Sequence, residues 1–97
     1  MPTQMPDSLG ANVDKLYEIF EQPTFDTERK KIESKLNEAK YHYGDPHILA
    51  DCMLALLLIG KSWGASPQVI LDELEKLAEK ATEHHWKKMP DGTFQAF

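Results

Sequence analysis

The chain has 97 residues, of which 41% are hydrophobic and 28% charged, and its 16 acidic against 11 basic residues give a net charge of -5. This length holds one domain with a modest core and excludes a second, while the composition excludes a disordered tail and a membrane protein. The negative field disfavours non-specific nucleic acid and anionic membranes as partners, since both present phosphates.

The opening Met-Pro-Thr-Gln-Met-Pro carries no basic cluster followed by an apolar run, so no secretion signal is expected there, and residues 1 to 8 read as a mobile N-terminus ahead of a single helical domain over 9 to 97. Val13, Leu16, Tyr17 and Phe20 recur at helical intervals until Pro23, which predicts a first helix over residues 9 to 21. Ile32, Leu36, Ala39 and Tyr43 recur at steps of four, three and four, which predicts a second, amphipathic helix over 27 to 43 with a densely charged outer face. Gly44-Asp45-Pro46 then supplies a left-handed stop, an N-cap and a proline suited to the first helical position, so the third helix turns back on the second.

That third helix, from about Pro46 to Trp63, is apolar nearly all round. Its apolar stretch, Ile48 to Ile59, is interrupted by Asp51 and is shorter than the roughly 20 residues of a membrane crossing, so it reads as a core helix. Its lone Cys52, the single cysteine of the chain, cannot form an internal disulfide and reads as a buried hydrophobe in a reducing compartment, which favours the cytoplasm. Gly64-Ala65-Ser66-Pro67 repeats the stop, cap and proline chemistry, and Ile70, Leu74, Leu77 and Ala81 carry a fourth helix to about Trp86. Met89-Pro90-Asp91-Gly92 is a turn signal before an aromatic tail, and no alternating run of strand length appears. The fold class is all-α, a small bundle of three or four helices. One short chain cannot cover so apolar a third helix, which predicts a dimer through the second and third helices, a homo-oligomer that completes the core.

Asp51 is the one charge between His47 and Lys61. An ionised carboxylate in apolar surroundings costs several kcal/mol unless a cation answers it, so Asp51 needs a partner. An antiparallel hairpin turning at Gly44 and Asp45 sets Glu38 level with Asp51 and His42 level with His47, and each of the pairs Glu38/His42 and His47/Asp51 lies four apart on one helix face. Two readings stay open: solvated residues with Asp51 ion-paired, or a metal site built from Glu38, Asp51 and His47. Near the end of the chain, His84-His85-Trp86-Lys87-Lys88 either grips phosphates and stacks on a base, with His84, Trp86 and Lys87 joining Lys35 as substrate-binding residues, or places cations at a helix C-terminus while the tryptophan covers the core. No serine stands in a nucleophile arrangement, so no catalytic residue is assigned.

The order of acidic helix, short turn, apolar helix opening with Ala50-Asp51, Gly-x-Ser-Pro and an amphipathic helix ending in Trp86 resembles the MazG-like all-α nucleoside triphosphate pyrophosphohydrolases. The closing Asp91-Gly92-Thr93-Phe94-Gln95 is similar to their short dATP/dGTP diphosphohydrolase branch often found in phages, and the resemblance covers residues 28 to 97. It implies two acidic pairs, Glu-x-x-Glu and Glu-x-x-Asp, that hold Mg²⁺ and activate water for attack on a (deoxy)nucleoside triphosphate. Glu38 and Asp51 match the second member of each pair, whereas Lys35 and Ile48 stand where the first members belong, and Ala81 and His84 replace an Asn and an Arg. The implied cofactor is Mg²⁺, or none if Lys35 has replaced the coordination site by an ion pair; His47 beside Ile48 would shift preference towards Mn²⁺ or Zn²⁺. The functions implied are binding or weak hydrolysis of nucleoside triphosphates. The alternative is a non-catalytic relative acting as a phage-type inhibitor, a nucleotide-sequestering protein or a module for a protein partner.

Overall fold

In the computed structural model, which describes residues 7–97, four helices run in the order α1 (Asp7–Ile19), α2 (Phe25–Ala39), α3 (Pro46–Ser62) and α4 (Pro67–Glu83), followed by two short strands, β1 (Trp86–Lys88) and β2 (Phe94–Ala96). The expectation of a mobile segment over residues 1 to 8 falls almost wholly outside the described residues. The small all-α bundle is present, and the turn chemistry explains where its helices begin. Gly44 and Gly64 take φ of 82° and 85°, conformations that suit glycine. Asp45 accepts a hydrogen bond from the N–H of His47, and Ser66 accepts one from that of Val69.

Several boundaries differ from the sequence reading: α1 spans Asp7–Ile19 rather than 9 to 21, α2 ends at Ala39 rather than at residue 43, and two further shifts have identifiable causes. α2 starts earlier, because Thr24 and Thr27 form a reciprocal capping box, a threonine doing at the third helical position what Glu or Gln usually does. α4 stops at Glu83, and the chain then forms a β-hairpin that the absence of strand-length alternation did not announce. Trp86 faces Ala96, Lys87 faces Gln95 and Lys88 faces Phe94 across it. The turn is closed by Asp91, whose carboxylate accepts bonds from both the N–H and the hydroxyl of Thr93, and these bonds hold its pKa below the usual aspartate value.

The core lies between α1 and α3. Val13, Leu57 and Leu58 are buried there with Leu9, Leu16, Tyr17, Leu54 and Ile70 against them. Asp14 and Lys61 bridge the same two helices at 2.9 Å, and Lys61 also sits over the Tyr17 ring; the Asp14 carboxylate raises the Lys61 pKa. α2 packs on α3 alone, with Ile48, Cys52, Ala55 and Ile59 buried along α3. α4 leaves α3 at a bend of 115° and crosses it at Gly60, where an added Cβ would collide with the δ-methyl of Ile70.

The hairpin of α2 and α3 is less enclosed than its hydrophobic pattern suggests. Leu36 is 51% exposed and Tyr43, expected in the last turn of α2, lies beyond the helix and is 91% exposed. A buried charge replaces them as the unexpected interior group. Glu28 is 2% exposed, with the Lys31 ammonium 3.2 Å from Oε2 and donating to Oε1 at 3.4 Å. The same ammonium lies 4.7 Å from the centre of the Phe20 ring, so the charged pair is roofed by an aromatic face.

Candidate functional site

The α2–α3 hairpin brings Glu38 and Asp51, expected level with each other, to a shared lysine. Lys35 and Glu38 are three apart on α2, and His47 and Asp51 four apart on α3, so each pair shares a helix face. The Lys35 ammonium lies 3.4 Å from Glu38 Oε2 and 3.6 Å from Asp51 Oδ2. His47 Nε2 stands on the other side of the Asp51 carboxylate, 3.4 Å from the same Oδ2. Asp51 therefore has the cation its position demanded, and that cation is a lysine of the neighbouring helix. Glu38 first and then Asp51 raise the Lys35 pKa, so the ammonium stays charged well beyond neutral pH.

This donor set does not suit Mg²⁺, which requires several oxygen ligands held free of a competing cation. Lys35 lies between the two carboxylates. Ile48, one turn before Asp51 on α3, is 3% exposed and packed into the core, so it adds no polar group beside them. Among the described residues, no three His, Cys, Asp or Glu side chains come together to hold a metal ion. His47 reaches Asp51, but Glu38 is drawn to Lys35 instead.

The second set of expected residues lies elsewhere. The hairpin of β1 and β2 packs against neither α2 nor α3, so His84, Trp86 and Lys87 do not meet Lys35 within one chain. Their own arrangement has a local cause. Trp86 donates its indole N–H to the carbonyl of Ala81 at 2.7 Å, in the last turn of α4, and the His84 ring packs at 5.8 Å against the Trp86 ring. His85 stacks obliquely on Phe97 at 6.1 Å, and a shallow hollow of about 410 Å³ lies among Lys80, Glu83, His84, His85 and Phe97. A second, more apolar hollow of about 310 Å³ sits at the turn between α2 and α3, lined by Ala39, His42, Tyr43, Gly44, Asp45, Pro46 and Leu49. His42 thus belongs to the rim of that hollow.

Sequence reasoning overlooked Glu28 and the pair of aromatics Phe25 and Trp63. Glu28 looks like one more charge on the outer face of α2, yet it is 2% exposed and paired with Lys31, whose ammonium lies over the Phe20 ring. Phe25 and Trp63 stack with ring centres 6.0 Å apart and planes 14° apart, at the open end of the α2–α3 hairpin. Compared with protein-family models, curated proteins and solved structures, the chain matches none. No single helix among the described residues is long and apolar enough to cross a membrane.

Proposed function

We propose that the protein is a non-hydrolysing MazG-like bundle of phage type, cytoplasmic, that acts by binding a partner rather than by metal-dependent turnover of nucleoside triphosphates. The observation that supports this reading is the placement of Lys35 between Glu38 and Asp51. An ammonium there pairs with both carboxylates and offsets part of their negative charge, so the helical hairpin can hold them close without a metal. Catalysis by such a bundle depends on carboxylates that concentrate Mg²⁺ against the repulsion of the triphosphate, and a fixed cation in their midst removes that capacity.

A second reading is binding of a nucleotide without hydrolysis, and the hollow beside His84, His85 and Phe97 favours it. Cationic and aromatic groups meet there in a chain that is otherwise acidic. The two readings share the loss of chemistry and differ in ligand.

Incubation with dATP, dGTP and dUTP in turn, each with Mg²⁺ and then Mn²⁺, tests the first claim through pyrophosphate release. No release above the protein-free control is expected. Robust release, lost in Asp51→Asn, would overturn the reading and show a complete metal site. Equilibrium dialysis with the same nucleotides separates the two readings, because binding weakened by His84→Ala and Trp86→Ala belongs to the second alone.

A further inference from the structure

We infer that the β-hairpin of β1 and β2 is a docking edge for an acidic, extended segment of another protein, which adds to β1 as a third strand. This role rests on the partner-binding reading above and gives that partner a chemistry and a place.

The register decides which backbone groups are already paired. Phe97 donates its N–H to the carbonyl of His85, and Met89 donates to that of Thr93, in the same register as Lys87 with Gln95. Hydrogen-bonded and non-hydrogen-bonded positions alternate along an antiparallel pair, so His85, Lys87 and Met89 turn their backbone groups towards β2. The N–H and C=O groups of Trp86 and Lys88 therefore point the other way, along the outer edge of β1.

That edge is uncovered. All six strand residues are exposed, and the β-hairpin packs against none of the four helices. The indole N–H of Trp86, bonded to the carbonyl of Ala81 at 2.7 Å, holds it to the end of α4. Two strands of three residues have little stability by themselves, and a third strand is what such a unit lacks.

Charge selects the strand that is added. Lys87 and Lys88 are consecutive on β1, so one cation stands on each face of the sheet, and the one acid of the β-hairpin, Asp91, is bonded to Thr93 in the turn. Opposite charges on neighbouring strands attract and like charges repel, so a strand with carboxylates meets a lysine on either face. A second β1 centred on the first would instead set Lys87 against Lys87, which disfavours pairing between copies. On the Lys88 face, Trp86 and Phe94 are 45% and 58% exposed and offer apolar contact to the rest of the added strand. A single-stranded nucleic acid fits less well. It has no row of amides for the free edge, and each of its phosphates meets the field of a chain of net charge -5.

The test titrates the full isotope-labelled chain with an acetylated hexapeptide of alternating Val and Glu, up to about 1 mM, the weak end of specific association. Saturating shifts are expected at the amides of Trp86 and Lys88 and smaller ones at Lys87, whose N–H is turned inward. Lys87→Glu with Lys88→Glu should bind about 10-fold more weakly, and the same peptide N-methylated at alternate residues should not bind. Absence of shifts overturns the docking edge, and so does undiminished binding by the double variant or by the N-methylated peptide. Shifts of the same amides with oligo-dT but not with the peptide overturn it in favour of nucleic acid. If the double variant loses its β-hairpin, seen as rapid exchange of the Phe97 amide, Lys87→Gln with Lys88→Gln replaces it, and again undiminished binding is contrary. Pyrophosphate release separates the two levels: its presence overturns the non-hydrolysing reading, whereas a silent assay without peptide shifts overturns the docking edge alone.

Discussion

The two flanks of the α2–α3 hairpin face opposite problems. One carries Lys35, Glu38, His47 and Asp51, residue types suited to chemistry, and there each carboxylate already has a cation within 3.6 Å. The other carries Phe25, Leu36, Leu49, Met53, Leu56 and Trp63, which are suited to a protein interior but lie open to water. The contrast teaches that residue chemistry and residue need are separate questions. A charged cluster whose members neutralise one another has little left to offer a ligand, whereas an uncovered apolar layer has a large free energy to gain from association.

The largest effect should come from the layer that supports both flanks. Leu58 is 1% exposed between α1 and α3, and Leu58→Ala should cost about 3–4 kcal/mol, measured by urea unfolding, because the cavity cannot collapse among helices held by the same residue. If the loss is below about 1 kcal/mol, the α1–α3 contact is not what organises the hairpin.

The next experiment compares a deep charged pair with a shallow one on the same helix. Lys31→Met leaves the Glu28 carboxylate buried without its cation and should cost about 2 kcal/mol, less than a fully buried pair because Lys31 is itself 44% exposed. Glu28→Gln in the same background should recover most of the loss. Failure of that rescue would mean that Lys31 matters for its packing under Phe20, not for its charge.

Lys35→Met should have a smaller effect, a slight fall in melting temperature at pH 7, and should leave the pyrophosphate assay silent. Its pH dependence has a definite sign. The Lys35 pKa is raised in the folded state, so the contribution is fully present below the ordinary lysine value of about 10.4 and is lost as pH rises through the raised one. The unmodified protein and Lys35→Met should therefore differ at pH 7 to 10 and converge in more alkaline solution. The smallest expected change is at Asp91, whose pKa is lowered. Its bonds to Thr93 should persist as pH falls through about 3.9 and give way only below, which the Thr93 amide resonance would report.

Much of this arrangement was legible before the structure. The sequences Gly44-Asp45-Pro46 and Gly64-Ala65-Ser66-Pro67 each name a stop, a cap and a start, and the helices obey them because these effects are local. The need of Asp51 for a cation is readable too, whereas Lys35 comes forward as its partner only through the family resemblance, which puts it where an acidic residue is expected. What escaped was decided by tertiary contact. Leu36 and Tyr43 continue the period of Ile32 and Ala39, but periodicity reports which side of a helix is apolar, not whether anything covers it. Glu28 has the composition of a surface residue and the burial of a core one, which no periodic pattern on α2 announces. The terminal strands are three residues each, too short to show alternation, and the Asp91-Gly92 turn was the one sign of them.

The measurement that bears most directly on the difference between the flanks is a calorimetric titration of the unmodified protein with Mn²⁺ up to about 1 mM, the weak end of the range for oxygen-ligand sites. A charged flank closed by Lys35 predicts heats of dilution only, with no saturation. One saturating Mn²⁺ per chain, abolished by Asp51→Asn, would contradict it and place an open metal site where the carboxylates here hold a lysine.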